Sequence, residues 1–338
     1  MARIVTRTNH SVFLTVMPDV QLLVIADPAA RFLSVLQTLP EGVRVTTSLD
    51  PEVLRAAAPT TGVVFNTTSN GQQLRAIWPL LTNLRWVHSM SAGVENQLFP
   101  ELFESPLPLT NGRGVFKESL GEFVLTAALY FAKDLRRMMR NHAAGRWEQF
   151  DVEEISRQTM GIVGYGEIGR SAARRAKAMG MKILATRRRE SLNQGDDLLD
   201  QAFPLDQMGD MLAQSDVVVV SAPLTTDTRG LVGEAEFARM KPTAILVNVG
   251  RGPVVDEAAL VRALTEKRIR GAALDVFDVE PLPEGHPLWA LDNVLFSPHC
   301  ADHTSDWLEQ AAGMFVANFR RFAAGEPLLN LVDKKAGY

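Results

Sequence analysis

Three side chains of complementary chemistry each follow a short apolar run in the second half of the sequence. Arg251 follows AILVNVG in the run NVGRGPVVDEAAL, Glu280 sits in LDVFDVEPLP, and His299 follows NVLFS in SPHC. A guanidinium can hold a carboxylate through two parallel N–H bonds and polarise a carbonyl beside it. An imidazole titrates near neutral pH, so it can pass a proton to or from a carbonyl oxygen that becomes a hydroxyl. A carboxylate next to that imidazole orients the ring and raises its pKa. Together these types suit the interconversion of a 2-oxo acid and a 2-hydroxy acid. Singly, each has a plainer reading: a surface charge, a turn residue before Pro281, and a satisfied, partly buried histidine.

Such a reaction needs a hydride carrier, and the sequence offers a place for one. Met160 to Arg170 reads MGIVGYGEIGR, a G-x-G-x-x-G between an apolar strand and a helix that ends near Gly180. Gly164 permits the tight turn, Gly166 lets the backbone approach a pyrophosphate, and Gly169 lets helix and strand pack closely. Tyr165, Glu167 and Ile168 complete the loop. The helix N-terminus turns free N–H groups and a partial positive charge toward phosphate. A tight turn with no ligand is the alternative. The next strand ends at Thr186 without the acid that would bond a ribose 2′-hydroxyl, and Arg187, Arg188 and Arg189 follow. Guanidinium groups bind a 2′-phosphate that a carboxylate would repel. The expectation is NADP rather than NAD, held by Thr186, Arg187 and Arg188; a solvated basic loop is the alternative.

These residues need a frame to bring them together. A chain of 338 residues exceeds one ordinary core, and two domains follow. Strands are expected at Leu22–Ala26, Val43–Thr47, Gly62–Asn66 and Leu84–His88, separated by amphipathic stretches at Arg31–Leu39, Pro51–Ala58 and Gly71–Leu81. Leu107–Phe116 reads as an irregular connector, and one long helix runs from Lys117 to about Arg140. That helix is apolar on more than one side, so it must bury two faces, between domains or against a second subunit. Strands then resume at Met160–Val163, Lys182–Thr186, Asp216–Ser221, Ala244–Val249, Gly271–Val276 and Val294–Ser297, with helices at Glu167–Met179, Glu234–Met240, Asp256–Lys267 and from Asp306 to about Phe322. Strands alternating with helices pair in parallel. The fold class is therefore α/β: two Rossmann-like or flavodoxin-like parallel-sheet domains with a cleft between them. Ligands of such sheets bind beyond the carboxyl ends of the strands, where Arg251, Glu280, His299 and the glycine loop would converge.

Composition narrows the partners. With 46% hydrophobic and 22% charged residues the chain is globular, and a net charge of −4 does not suit a nucleic-acid binder. One cysteine, Cys300, excludes an internal disulfide and points to a reducing, cytoplasmic setting. No apolar run reaches the length of about 18 residues that a membrane span needs. The start, Met1 to Val20, lacks the features of a secretory signal. No metal site is expected.

The chain resembles the D-isomer-specific 2-hydroxyacid dehydrogenase family over nearly its whole length. The likeness is sharpest over Gly161–Arg170, Pro223–Gly230 (PLTTDTRG), Met240–Leu260 and Leu274–His299. It implies that Arg251 binds the substrate carboxylate and carbonyl, that Glu280 partners the histidine, and that His299 is the acid/base. It implies cofactor contacts at Pro223, Thr228, Val249, Gly250 and Asp275, the last near the nicotinamide amide. Backbone groups of Ala92, Gly93 and Val94 in SMSAGVENQL would bind the substrate carboxylate, a plain turn being the alternative there. It further implies a substrate domain of residues 1–116 and 304–338, a cofactor domain of 117–303, hinges near Asn111–Lys117 and Cys300–Thr304, and a homodimer. The implied substrate is glyoxylate or hydroxypyruvate; phosphoglycerate-type oxidation and a non-catalytic NAD(P) sensor of the corepressor kind are the alternatives. Three departures stand out. Cys300-Ala301-Asp302-His303 replaces a run that is usually small, His303 reads as a hinge residue rather than a second base, and Glu95 stands where Asp is more common.

Overall fold

The computed structural model describes residues 20–186 and 196–338. Two parallel sheets organise it. The first holds β1 (Val20–Ile25), β2 (Val43–Ser48), β3 (Thr61–Asn66), β4 (Trp86–Ser89) and β5 (Leu109–Thr110) in the order β2-β1-β3-β4-β5. The second holds β6 (Thr159–Val163), β7 (Lys182–Thr186), β8 (Gln201–Phe203), β9 (Val217–Val220), β10 (Ile245–Asn248), β11 (Gly271–Leu274) and β12 (Val294–Phe296) in the order β12-β11-β10-β9-β6-β7-β8. The chain winds one way from β6 to β8 and the other way from β9 to β12, so the switch point lies between β6 and β9. A crevice opens at such a point. Runs such as VVVV in β9 and ILVN in β10 are buried at every position, because helices cover both faces of the sheet.

The elements start and stop where local chemistry dictates. Helix α1 (Pro51–Ala57) opens on Asp50, whose side chain accepts from the Glu52 N–H, with proline in the first turn. Two short helices, α2 (Gln72–Ile77) and α3 (Pro100–Glu104), follow in the first unit. Arg31–Thr38 is helical too, but with the tighter 3₁₀ winding. In the second unit, α6 (Glu167–Ala178) follows β6, and α7 (Met208–Leu212), α8 (Glu234–Arg239) and α9 (Glu257–Thr265) come after it. The last helix, α10 (Trp307–Ala323), returns to the first sheet as expected. Phe315 stacks on Phe65 at 4.3 Å and lies 5.4 Å from the Trp86 ring.

Several expectations need correction. The long helix is two, α4 (Lys117–Ala132) and α5 (Leu135–Ala143), broken at Asp134. Asp134 takes the left-handed conformation (φ +47°) and caps α5 through Arg137 N–H. The connector Leu107–Phe116 contains β5, too short to show alternation. The sequence reading also missed β8, a strand of three residues.

Helix α4 carries the first passage from one unit to the other and packs on α6 so closely that a Cβ on Gly121 would stand 2.6 Å from Ser171 Oγ. Glu118 binds Arg174 and Arg175 at that contact. The second passage follows β12, and Ser119 Oγ donates to the Ala301 carbonyl at 2.6 Å, fastening the two passages to each other.

Candidate active site

A cleft of about 1830 Å³ separates the two units. At its second-unit wall the glycine loop leaves β6. Gly164 has φ +90°, and a Cβ there would stand 2.5 Å from Ala222 Cα. Gly166 has open space where a Cβ would lie, at the N-terminus of α6. That combination fits a pyrophosphate: bare backbone and a favourable helix dipole. Tyr165, Glu167, Ile168, Thr186, Pro223, Thr228, Val249, Gly250 and Asp275 also line the cleft. Lys117 Nζ holds the Glu167 carboxylate at 2.8 Å, which offsets an acid beside a phosphate site. Gly169 does not face the cleft. Its Cα side meets Ile162 Cγ2, which a Cβ would approach to 2.9 Å, so it works as a packing glycine. Thr186 is buried at the end of β7. Arg187 and Arg188 lie outside the described residues.

The three residues singled out for chemistry meet in the same cleft. His299 Nδ1 and Glu280 Oε2 are 2.6 Å apart. The other Glu280 oxygen accepts the Phe277 N–H at 2.9 Å, so both carboxylate oxygens are engaged. Burial works to raise the Glu280 pKa, but the bonds from His299 and Phe277, with Arg251 nearby, outweigh it and hold the group below its ordinary range. The bond to Glu280 raises the His299 pKa, burial opposes, and the Glu280 charge adds to the rise. His299 itself has φ +52°, an uncommon conformation for a residue with a Cβ. The loop that imposes it is held by Asp275, just past β11. Asp275 Oδ1 accepts from Ser297 Oγ at 2.7 Å and from the Cys300 and Ala301 N–H groups at 3.0 Å each. With Nδ1 on Glu280, Nε2 of His299 has no hydrogen-bond partner among the described residues.

Arg251 reaches across the cleft. Its Nε donates to Glu95 Oε1 of the first unit at 2.5 Å, and Nη1 donates to the Gly250 carbonyl at 2.7 Å. Nη2 lies over Gly93, where any side chain would overlap the guanidinium. Among the described residues no protein acceptor takes the N–H of Gly93 or Val94. Ala92 and Gly93 line the cleft, whereas the Val94 side chain is fully buried in the core of the first unit, leaving only its backbone for a ligand. Sequence reasoning did not assign Glu95 as the partner of Arg251. The two are 156 positions apart, and no local pattern joins them. Nor did it see Asp275 as the anchor of the His299 loop, although an acid just past an apolar strand was a signal. No group of three or more His, Cys, Asp or Glu among the described residues could hold a metal ion.

The geometry brings Arg251, the His299–Glu280 pair and the glycine loop into one crevice, and comparison with known proteins shows the family. Residues 125–301 match the model of the D-isomer specific 2-hydroxyacid dehydrogenase NAD binding domain. The chain belongs to the D-isomer-specific 2-hydroxyacid dehydrogenases. A glyoxylate reductase of Aeropyrum pernix is 36% identical over 290 residues, covering 79% of this chain and 85% of that one. The crystal structure of a D-isomer specific 2-hydroxyacid dehydrogenase from Xanthobacter autotrophicus Py2, in complex with NADPH and MES, superposes with a TM-score of 0.82 at 31% identity, covering 95% of this chain and all 100% of that one. An NADPH-dependent glyoxylate/hydroxypyruvate reductase from Sinorhizobium meliloti, solved with NADP and sulfate, gives 0.83 at 26% identity, with 94% and 100% coverage. As a member of this family the chain is an oxidoreductase that uses a nicotinamide dinucleotide, and its two parallel-sheet domains are the family fold. No described helix is long and apolar enough to cross a membrane.

Proposed function

We propose that this 2-hydroxyacid dehydrogenase reduces glyoxylate, hydroxypyruvate or a close analogue to the D-2-hydroxy acid, with NADPH preferred over NADH. The observation that carries the reading is the 2.6 Å bond between His299 and Glu280, set in the cleft where Arg251 Nη2 lies against Gly93. The nicotinamide supplies the hydride. The chain does the rest. The N–H groups of Gly93 and Val94, with Arg251, hold the substrate carboxylate, and Arg251 also polarises the carbonyl. Glu280 fixes the ring of His299 so that Nε2 gives its proton to the carbonyl oxygen as that oxygen gains charge. Glu95 keeps the guanidinium aimed, and Asp275 keeps the imidazole loop in place.

NADP preference rests on a strand β7 that ends in Thr186 with no acid, and on Arg187 and Arg188 beyond it. The similar proteins solved with NADPH or NADP agree with it. Our division of labour assigns residues 1–116 and 304–338 to substrate and 117–303 to cofactor, with the hinges at the two passages. We also infer a homodimer. After α5, Trp147 is 96% exposed, and Met139 on α5 is 58% exposed, a costly display for a lone chain. A reducing, cytoplasmic setting agrees with the single cysteine, Cys300.

A panel of 2-oxo acids assayed with NADPH and NADH tests the reading. NADPH-dependent turnover of glyoxylate, lost in His299→Ala, is expected. Turnover with NADH that exceeds NADPH and is indifferent to Arg187→Ala would remove the cofactor assignment. Saturable NADPH binding with no turnover on any 2-oxo acid would remove the enzyme.

A further inference from the structure

One carboxylate in the cleft keeps an oxygen without a hydrogen-bond partner among the described residues. Asp302 lies three residues past His299, on the second passage between the units, and it lines the cleft. Its side chain is 19% exposed, and its Oδ1 is shut away from water with no hydrogen-bond partner. The nearest group able to carry positive charge, His303 Nε2, stands 3.7 Å away, beyond a hydrogen bond. His303 cannot readily swing closer, because its ring lies flat on Trp307, with centroids 4.4 Å apart and planes 5° from parallel. Burial raises the Asp302 pKa, His303 opposes, and Asp275 adds to the rise. The contrast with Asp275 is informative. Asp275 is more deeply buried, yet its Oδ1 accepts three bonds and is saturated. A carboxylate withdrawn from water with one oxygen unpaired costs folding free energy, and the 19% of this side chain that stays exposed belongs to a residue lining the cleft, where a ligand can bring a donor.

A 2-oxo acid seated with its carboxylate on Gly93 and Val94 and its carbonyl oxygen between Arg251 and His299 turns its third carbon away from Gly93. Asp302, His303 and Trp307, on the segment that continues from His299, line the same cleft and are offered as the wall for that carbon. We propose that Asp302 is a specificity residue: it accepts a hydrogen bond from a hydroxyl on the third carbon of the substrate, and it repels a second carboxylate at that place. The enzyme would favour hydroxypyruvate over pyruvate, which differ by that one hydroxyl, and would discriminate against oxaloacetate. The inference rests on the reading of the cleft as a 2-oxo acid site and narrows the substrate class within it.

The test is the ratio of kcat/KM for hydroxypyruvate to that for pyruvate, with NADPH, in the full-length protein. A ratio removes any loss of activity common to both substrates. A wild-type ratio of about tenfold or more is expected from one hydrogen bond to a charged acceptor, collapsing toward unity in Asp302→Ala. Asp302→Asn keeps the shape and an acceptor oxygen but loses the charge. It should keep part of the ratio while oxaloacetate gains on pyruvate, and it serves if the alanine variant does not fold. Glyoxylate has no third carbon, so wild-type turnover of glyoxylate tests the underlying reading separately. If glyoxylate is reduced but the hydroxypyruvate preference is absent, or persists unchanged in both variants, the role of Asp302 is refuted and the enzyme assignment stands. If the wild type reduces none of the four acids, both fall together.

Discussion

Gly93→Ala isolates the aim of Arg251 from the rest of the fold. An added Cβ would overlap Nη2, stand 2.6 Å from Glu95 Oε2 and 2.8 Å from Arg251 Cζ. To recover an ordinary contact of roughly 3.5 Å, Nη2 of the guanidinium must retreat by more than about 1.5 Å. It cannot do so alone, since Nε is bonded to Glu95 and Nη1 to the Gly250 carbonyl. A misplacement of that size in a substrate-positioning group costs about 100-fold in rate. The atoms displaced belong to side chains at the cleft wall, so the core is untouched and Tm should hold within a few degrees. The assay is steady-state reduction of glyoxylate with NADPH beside a thermal melt. Gly313→Ala is the control: that helix position has open space where a Cβ would go, and its activity should match wild type. A Gly93→Ala enzyme that folds and retains wild-type kcat/KM would show that Arg251 does not hold the substrate from where it stands.

Other expectations follow from the same coordinates. Reduction needs protonated His299, whose pKa is raised by the bond to Glu280, so kcat/KM should be full at low pH and fall as pH rises through that raised value. Glu280→Gln removes the supporting charge and should move the fall to lower pH; an unmoved midpoint in the pH profile would contradict the assignment. His88 is wholly buried and its pKa is pushed down to about 3 by burial, so it is neutral in the folded chain. Its contribution to stability is present above pH 6.5 and is lost as pH falls toward 3, at about 1.4 kcal/mol per pH unit. Urea melts at pH 6 and 4.5 should differ by about 2 kcal/mol more in wild type than in His88→Gln. Gly252→Ala should fail to fold or melt far lower, because its Cβ would fall on the Phe277 carbonyl and 2.5 Å from Asp278 N. Soluble expression and the melt decide this.

The sequence was most readable where a local pattern carries the physics. Buried parallel strands are continuous apolar runs, and a nucleotide loop announces itself between β6 and α6. Arg251, Glu280 and His299 were legible because each follows such a strand and the topology of a doubly wound sheet gathers strand ends. What escaped was non-local or very short. The link from Glu95 to Arg251 exists only once two units face each other. The break at Asp134 depends on one residue adopting a left-handed conformation, which an unbroken apolar pattern conceals. Strand β8 takes its place from its neighbour β7, not from a periodicity of its own. The His299 loop looked like any turn after a strand, and its fixed shape comes from a carboxylate 25 positions away that gathers the Cys300 N–H.

The bond from Ser119 to Ala301 makes a spine of the two passages between units. A body bound along a spine swings like a page and does not tumble. His299 lies two residues from that line, so a swing of the units about it would displace the imidazole least. Arg251 and Glu95 sit on facing pages. Any swing that widened the cleft would have to part this contact, and any swing that closed it would restore the aim of the guanidinium.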